Sequence, residues 1–279
     1  MFRLLNPART QSPEPLPAIS QKIRMKITLT ITLIFFFTFF PAQNKIWIIG
    51  TAHEERNYIN QDSLTFALNK IKPDLILIEL EQKHFNKDFK FNLDEYPDLI
   101  STNENKAVYK YQNENKILVR PFDIEGRNEF YKKENFREKE NKMFGEIFNL
   151  YKHNQLNEQS KMDFEILLAY LSNYSELKFS SLRESNSDVA TRFLMLKNKV
   201  NYDLMISIVK NTKQLKKWIK FAELRKSFWE DRNNAMFEKI KYYSKEFPSK
   251  KIVVLVGNDH KYFLQNLLTE NKFELKNYY

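Results

Sequence analysis

A chain of 279 residues with 42% hydrophobic and 15% aromatic residues and only 4 Gly has room for one sizeable core, and is neither disordered nor collagen-like. Zero Cys excludes disulfides, zinc ribbons, iron–sulfur clusters and thiol nucleophiles, and 4 histidines confine imidazole chemistry to His53, His84, His153 and His260. The net charge of +10 comes from 45 Lys+Arg scattered among Asn, Glu and Phe, with no Arg-rich stripe, so it reads as a basic surface and no nucleic-acid partner is expected.

Residues 1–24 carry Pro7, Pro13, Pro15 and Pro17 and no helical apolar period. Met25-Lys26 then opens an uncharged apolar run, Ile27 through Phe40, followed by Pro41-Ala42-Gln43. A spanning helix needs about 20 apolar residues. A short positive start, a shorter apolar core and a small residue near its end fit a signal peptide instead. The expectation is that Met25 is the working start and that residues 1–43 are an upstream segment plus signal peptide. Residues 44–279 are then a single domain, exported to the periplasm or the cell exterior, and not an integral membrane protein after cleavage. A retained amino-terminal anchor is the alternative.

In chain order, Lys45 to Ile49 reads as a buried strand that ends at Gly50. Leu64, Ala67, Leu68 and Ile71 keep helical spacing up to Pro73, and Asp74 to Ile78 is a second buried strand. This β-α-β order favours a parallel pair with both faces covered. Residues 82–115 read as irregular structure or short helices. Lys116 to Arg120 is a third strand that stops at Pro121. From about residue 128 to 246 the pattern is helical, with Ile166 to Leu171 and Phe193 to Val200 as core stretches and a last long helix from about Lys213 to Ser244. Ile252 to Val256 is a fourth buried strand ending at Gly257, followed by a helix from Lys261 to Thr269 and an edge strand over Phe273 to Leu275. The expected fold class is therefore α/β: a central, mainly parallel sheet flanked by helices, with a large helical insertion at about 128–246.

Two strand ends share one pattern. Gly50-Thr51-Ala52-His53 follows the first strand and Gly257-Asn258-Asp259-His260 the fourth. Ligands of parallel sheets bind at the carboxyl ends of the strands. Gly50 and Gly257 are read as structural turn residues. The two imidazoles can bind a metal, or one can act as general base. The second strand ends in Glu79-Leu80-Glu81. Glu79 is expensive to bury without a partner and suits a metal ligand or water-activating role, whereas Glu81 reads as a solvated strand end. On the last long helix Arg225, Trp229, Arg232, Met236, Ile240 and Tyr243 form one stripe, so Arg232 shares a face with core residues and needs a carboxylate or an anion. Glu79 is its candidate partner. Asp123 is either a turn cap or a third carboxylate at the same edge. His84 and His153 are expected at the surface.

These residues, in this order, resemble the TraB/PrgY/TIKI/GumN superfamily, itself similar to the erythromycin-esterase and haem-binding ChaN-like proteins. The resemblance rests on Gly50-Thr51-Ala52-His53, Lys72-Pro73-Asp74 leading to Glu79-Leu80, Arg232-Asn233 with Met236, and Val256-Gly257 with His260. It implies an α/β fold with two Gly-x-x-His motifs, a Glu and an Arg in one cleft, and hydrolysis of a peptide or ester. His53, Glu79, Arg232 and His260 are the matching catalytic positions, and His53, His260 and Glu79 the matching metal ligands, with Asp259 as a possible further one. The Arg that often follows the Glu-Leu pair in the family has its place near His84 here. With nitrogen and oxygen ligands and no thiolate, the divalent metal is manganese, cobalt or zinc. The expected partner is a peptide or small-molecule substrate. The alternatives are a metal-free His–Glu esterase, and a haem-, metal- or peptide-binding protein of the same fold without turnover.

Overall fold

The computed structural model describes residues 43–52 and 54–277. The expected signal peptide and His53 lie outside the described residues, which belong to a unit beginning at Gln43.

The β-α-β start forms as its caps dictate. Strand β1 (Lys45–Thr51) is followed by helix α1 (Gln61–Ile71). Asn60 and Ser63 make a reciprocal capping box at the start of α1, and Lys72 closes it in the left-handed conformation just before Pro73. Strand β2 (Leu75–Ile78) follows, then 3-10 turns at Gln82–His84 and Pro97–Ser101, helix α2 (Asn103–Asn115) and strand β3 (Leu118–Pro121). Helix α2 and the two 3-10 turns fall in the stretch that the sequence reads as irregular structure or short helices. The helix has an apolar face of only Ala107, Val108 and Tyr111, and its other buried positions are polar, so it lacks a clear helical period.

The helical insertion comprises α3 (Arg127–Lys133), α4 (Phe136–Lys152), α5 (Glu158–Glu176), the single turn α6 (Leu182–Ser185), α7 (Asp188–Asn211), a 3-10 segment Lys213–Trp218 and α8 (Ile219–Glu246). Strand β4 (Lys251–Gly257), helix α9 (Asn258–Glu270) and strand β5 (Glu274–Leu275) complete the order. Of the expected core stretches, Leu167 and Leu194 are buried, while Ile166 and Leu196 are exposed.

The five strands form one all-parallel sheet in the order β3-β2-β4-β1-β5. Side chains alternate between its faces. Ile49, Ile76, Ile78, Val253 and Leu255 pack with α1 and α2 on one face. Ile46, Ile48, Leu77, Ile252 and Val254 pack with Met236 and Ile240 of α8 and Leu264 of α9 on the other. The insertion has its own core, built from Met143, Ile147, Phe164, Leu167, Met205, Ile208 and Phe221. Helix α8 serves both: its first turns join the insertion core and its later turns cover the sheet. Among the described residues no helix is long and apolar enough to cross a membrane.

Candidate functional site

Because every strand runs the same way, the ends of β1, β2, β3 and β4 meet at one edge. Thr51 pairs with Gly257, and Ile78 pairs with both Pro121 and Leu255. Glu79 and Asp123, just past their strands, therefore arrive side by side. Helix α8 drops Arg232 between them.

Arg232 organises the cluster. Its Nε donates to Asp123 Oδ1 at 2.7 Å and its Nη2 to Asp123 Oδ2 at 2.9 Å, the planar two-pronged match of guanidinium to carboxylate. Nη2 also donates to Glu79 Oε1, and Nη1 donates to His260 Nε2 at 3.0 Å. Accepting at Nε2 leaves the imidazole proton on Nδ1, which is donated to Asn233 Oδ1 at 2.9 Å. Glu79 Oε2 accepts from the Gly257 amide at 2.6 Å. A second guanidinium, Arg127 at the start of α3, donates to Asp123 Oδ2 at 2.8 Å and stands 3.7 Å from Glu79 Oε1. Two carboxylates thus face two guanidiniums and one imidazole.

Glu79, Asp123, Arg232 and His260 are all buried. Burial works against the charge on Arg232, but Glu79 and Asp123 outweigh it and hold its pKa above the ordinary value. Burial lowers the pKa of His260; Glu79 opposes that shift and Arg232 reinforces it, so the ring is neutral in the folded protein. The Trp229 ring lies nearly parallel to it, at 16° and 5.9 Å between centroids.

Asp123 fills both roles expected of it. Its Oδ1 caps the turn by accepting from the Ile124 amide at 2.8 Å while it binds Arg232. Asp259 does not join the cluster: it pairs with Lys197 at 2.7 Å and is 47% exposed. The first turn of α9 directs it toward α7. Two expectations about surface residues fail. Glu81 is buried, its Oε2 accepting from the Gly126 amide at 2.9 Å, because the β3–α3 loop folds over it. His84 is buried with its ring edge-on to Tyr96 and its Nδ1 accepting from the Glu81 amide at 3.3 Å. His153 is exposed, as expected.

The two glycines differ. Neither takes a positive φ, so what separates them is the room for a Cβ. A Cβ on Gly50 would lie 2.1 Å from Asn258 Oδ1 and 3.3 Å from Asn186 Oδ1, so any larger residue must displace the Asn258 side chain. A Cβ on Gly257 would make ordinary contacts, 3.4 Å to Glu79 Oε2 and 3.7 Å to His260 Cδ2.

Three residues that sequence reasoning missed complete the edge. Arg127 carried a faint signal, the i,i+4 spacing from Asp123 across Gly126. Asn186, from the insertion, holds the Gly50 peptide from both sides. Its Oδ1 accepts from the Gly50 amide at 2.7 Å and its Nδ2 donates to the Gly50 carbonyl at 3.0 Å. Lys261 Nζ donates to the Asn186 carbonyl at 2.6 Å and to its Oδ1 at 3.0 Å. Burial lowers the Lys261 pKa to about 8. No sequence pattern marks Asn186, since its partner is 136 positions away.

The donor set bears on the expected metal. The one lone pair His260 has for a metal is directed at Arg232, and the guanidinium sits where an ion shared with Glu79 would have to sit. Among the described residues no three His, Asp or Glu side chains converge as a metal site. The described donors therefore do not fit a metal held between His260 and Glu79. Comparison of the chain with family models, curated proteins and solved structures returns no match.

Proposed function

We propose that the chain is an exported hydrolase of a peptide or ester bond, working with side chains in place of a metal at the edge formed by Glu79, Asp123, Arg232 and His260. The observation that carries this reading is the buried Arg232 cluster at the carboxyl ends of parallel strands, where ligands of such sheets bind. A sheet does not need such a cluster for stability, since apolar groups of similar volume often serve as well or better.

In this reading His53 is the general base. It follows Thr51 by two positions in the sequence. His53 takes a proton from water as the water oxygen bonds to the substrate carbonyl carbon, and the carbonyl oxygen becomes negative. Arg127, the less buried guanidinium, faces that oxygen, with Arg232 behind it. Protonated His53 then passes its proton to the departing alcohol or amine as the carbon–heteroatom bond breaks. Glu79, Asp123 and His260 are positioning residues that fix the guanidinium plane of Arg232.

A screen of the full chain against aryl and alkyl esters and a peptide library tests this reading. His53→Ala is expected to lower kcat about 100-fold or more, and chelator is expected to leave turnover intact. Turnover lost to chelator and restored by manganese, cobalt or zinc would replace this mechanism with the metal-dependent one. Ligand binding without turnover by any substrate would make the chain a binding protein.

A further inference from the structure

A second feature lies beside His260. Helices α7, α8 and α9 form a half-open pocket of about 240 Å³ lined by Met195 and by an aromatic wall of Tyr202, Trp229, Tyr262 and Phe263. Trp229 is shared between this cavity and the site, because the same indole that lines the cavity stacks on the His260 ring. The aromatic walls meet at varied angles around Trp229: Tyr262 at 25°, Tyr202 at 38° and Phe263 at 86°. Two lysines, Lys199 and Lys226, and two carboxylates, Asp203 and Glu230, also line the pocket, and Lys226 pairs with Asp203 at 2.8 Å. Burial raises the pKa values of the Tyr202 and Tyr262 hydroxyls, so they remain neutral.

From this lining we infer that the cavity binds a neutral, planar aromatic ring, and that the ring belongs to the substrate hydrolysed at the adjoining edge. The size is right: a cavity of about 150 Å³ accommodates benzene, and this half-open pocket, at about 240 Å³, has room for a bicyclic ring. The walls favour a ring over an aliphatic chain, since aromatic pairs gain from offset-stacked and edge-to-face contacts beyond area burial alone. The two lysines and two carboxylates of the lining leave no net charge to call for an ionic ligand. The assignment of the ring to the substrate rests on the hydrolase reading; the pocket itself does not.

The probe is indole, titrated into the full chain and followed by ligand-observed NMR, with cyclohexanol as the non-aromatic control. Indole is expected to bind at least tenfold more tightly than cyclohexanol. Met195→Trp fills the cavity from α7 and is expected to weaken indole at least tenfold while the fold, checked by melting temperature, is retained. Tyr262→Ala, which removes one wall, is the second variant should the first not fold. Indole binding that is absent at millimolar concentration, matched by cyclohexanol, or indifferent to both variants would overturn the pocket. Once an ester is turned over, Met195→Trp is expected to raise KM at least tenfold for the arylalkyl ester and to leave the acetyl ester unchanged. An equal effect on both esters would overturn the link to the substrate. If no substrate is turned over, the hydrolase reading falls, and indole binding alone decides the pocket.

Discussion

Arg225 and Arg232 stand seven positions apart on one face of α8, and both are buried. Their surroundings differ. Arg225 points into the insertion, where Nε and Nη2 share a single oxygen of Glu140, at 2.8 and 2.5 Å, and Nη1 has no hydrogen-bond partner. Glu140 is itself 40% exposed. Arg232 points at the sheet edge and meets Asp123, Glu79 and His260, all withdrawn from water. The same residue type on one helical stripe thus becomes an ordinary strut in one core and the centre of a charge network in the other. What decides between them is how many partners the fold converges and whether water can replace a lost one.

The largest expected effect breaks that contrast directly. Arg232→Ala leaves Glu79 and Asp123 buried beside a lost partner and is expected to destabilise the protein by about 3–5 kcal/mol. Arg225→Ala is expected to lose about 1.5–3 kcal/mol, because Glu140 can turn to water. Chemical denaturation of both variants measures the gap; equal losses would mean that the sheet-edge network is no more demanding than the insertion pair.

The glycines give a second contrast. Gly50→Ala is expected to lose about 1–3 kcal/mol, since its Cβ meets Asn258 and then the Asn186 amide that grips Gly50. Gly145→Ala, in the interior of α4 with nothing within 4 Å of its Cβ, is expected to gain about 0.5–1 kcal/mol. Opposite shifts in melting temperature check the pair.

The pH dependence sharpens the picture of the edge. His260 and His84 both have pKa values held below the ordinary 6.5, so below about pH 6.5 the unfolded chain binds protons that the folded one refuses. Stability is therefore expected to fall as pH drops from 6.5, and the slope to shrink in His260→Asn and in His84→Asn. Lys261 has the same sign in a higher window. Folded, it gives up its proton near pH 8; unfolded, only near its ordinary 10.5, so stability is expected to rise above pH 8. Melting curves from pH 5.5 to 9.5 test both, and Lys261→Met should flatten the upper limb.

The smallest effect is the control. Lys210 and Glu223 pair at 2.6 Å with both side chains 48% exposed. Lys210→Ala is expected to change stability by less than about 1 kcal/mol. A larger loss would show that exposed pairs of the insertion matter more than their hydration allows.

Much of the fold was legible because periodicity and punctuation are local. Uniformly apolar runs ending in Gly50, Glu79 and Gly257 marked buried parallel strands, and Pro73 marked the end of α1. The bounds of helix α2 were not legible because its buried positions are largely polar. In the site, Glu79 and Arg232 were legible through cost: a carboxylate after four apolar strand residues and a guanidinium on a core stripe each need a partner. Glu81 and His84 were misjudged because their cover comes from a loop that carries no pattern.

The sequence by itself determined the α/β alternation, the helical insertion, the absence of thiol chemistry and the pairing need of Arg232. These depend on residue type and spacing along the chain. Only the tertiary structure decided that Asp123 and Arg127 complete the Arg232 network, that Asp259 turns away to Lys197, and that Asn186 clamps Gly50. Those outcomes depend on register and helix placement, which bring together groups 62 to 136 positions apart, and the i,i+4 spacing of Arg127 from Asp123 is their only local trace.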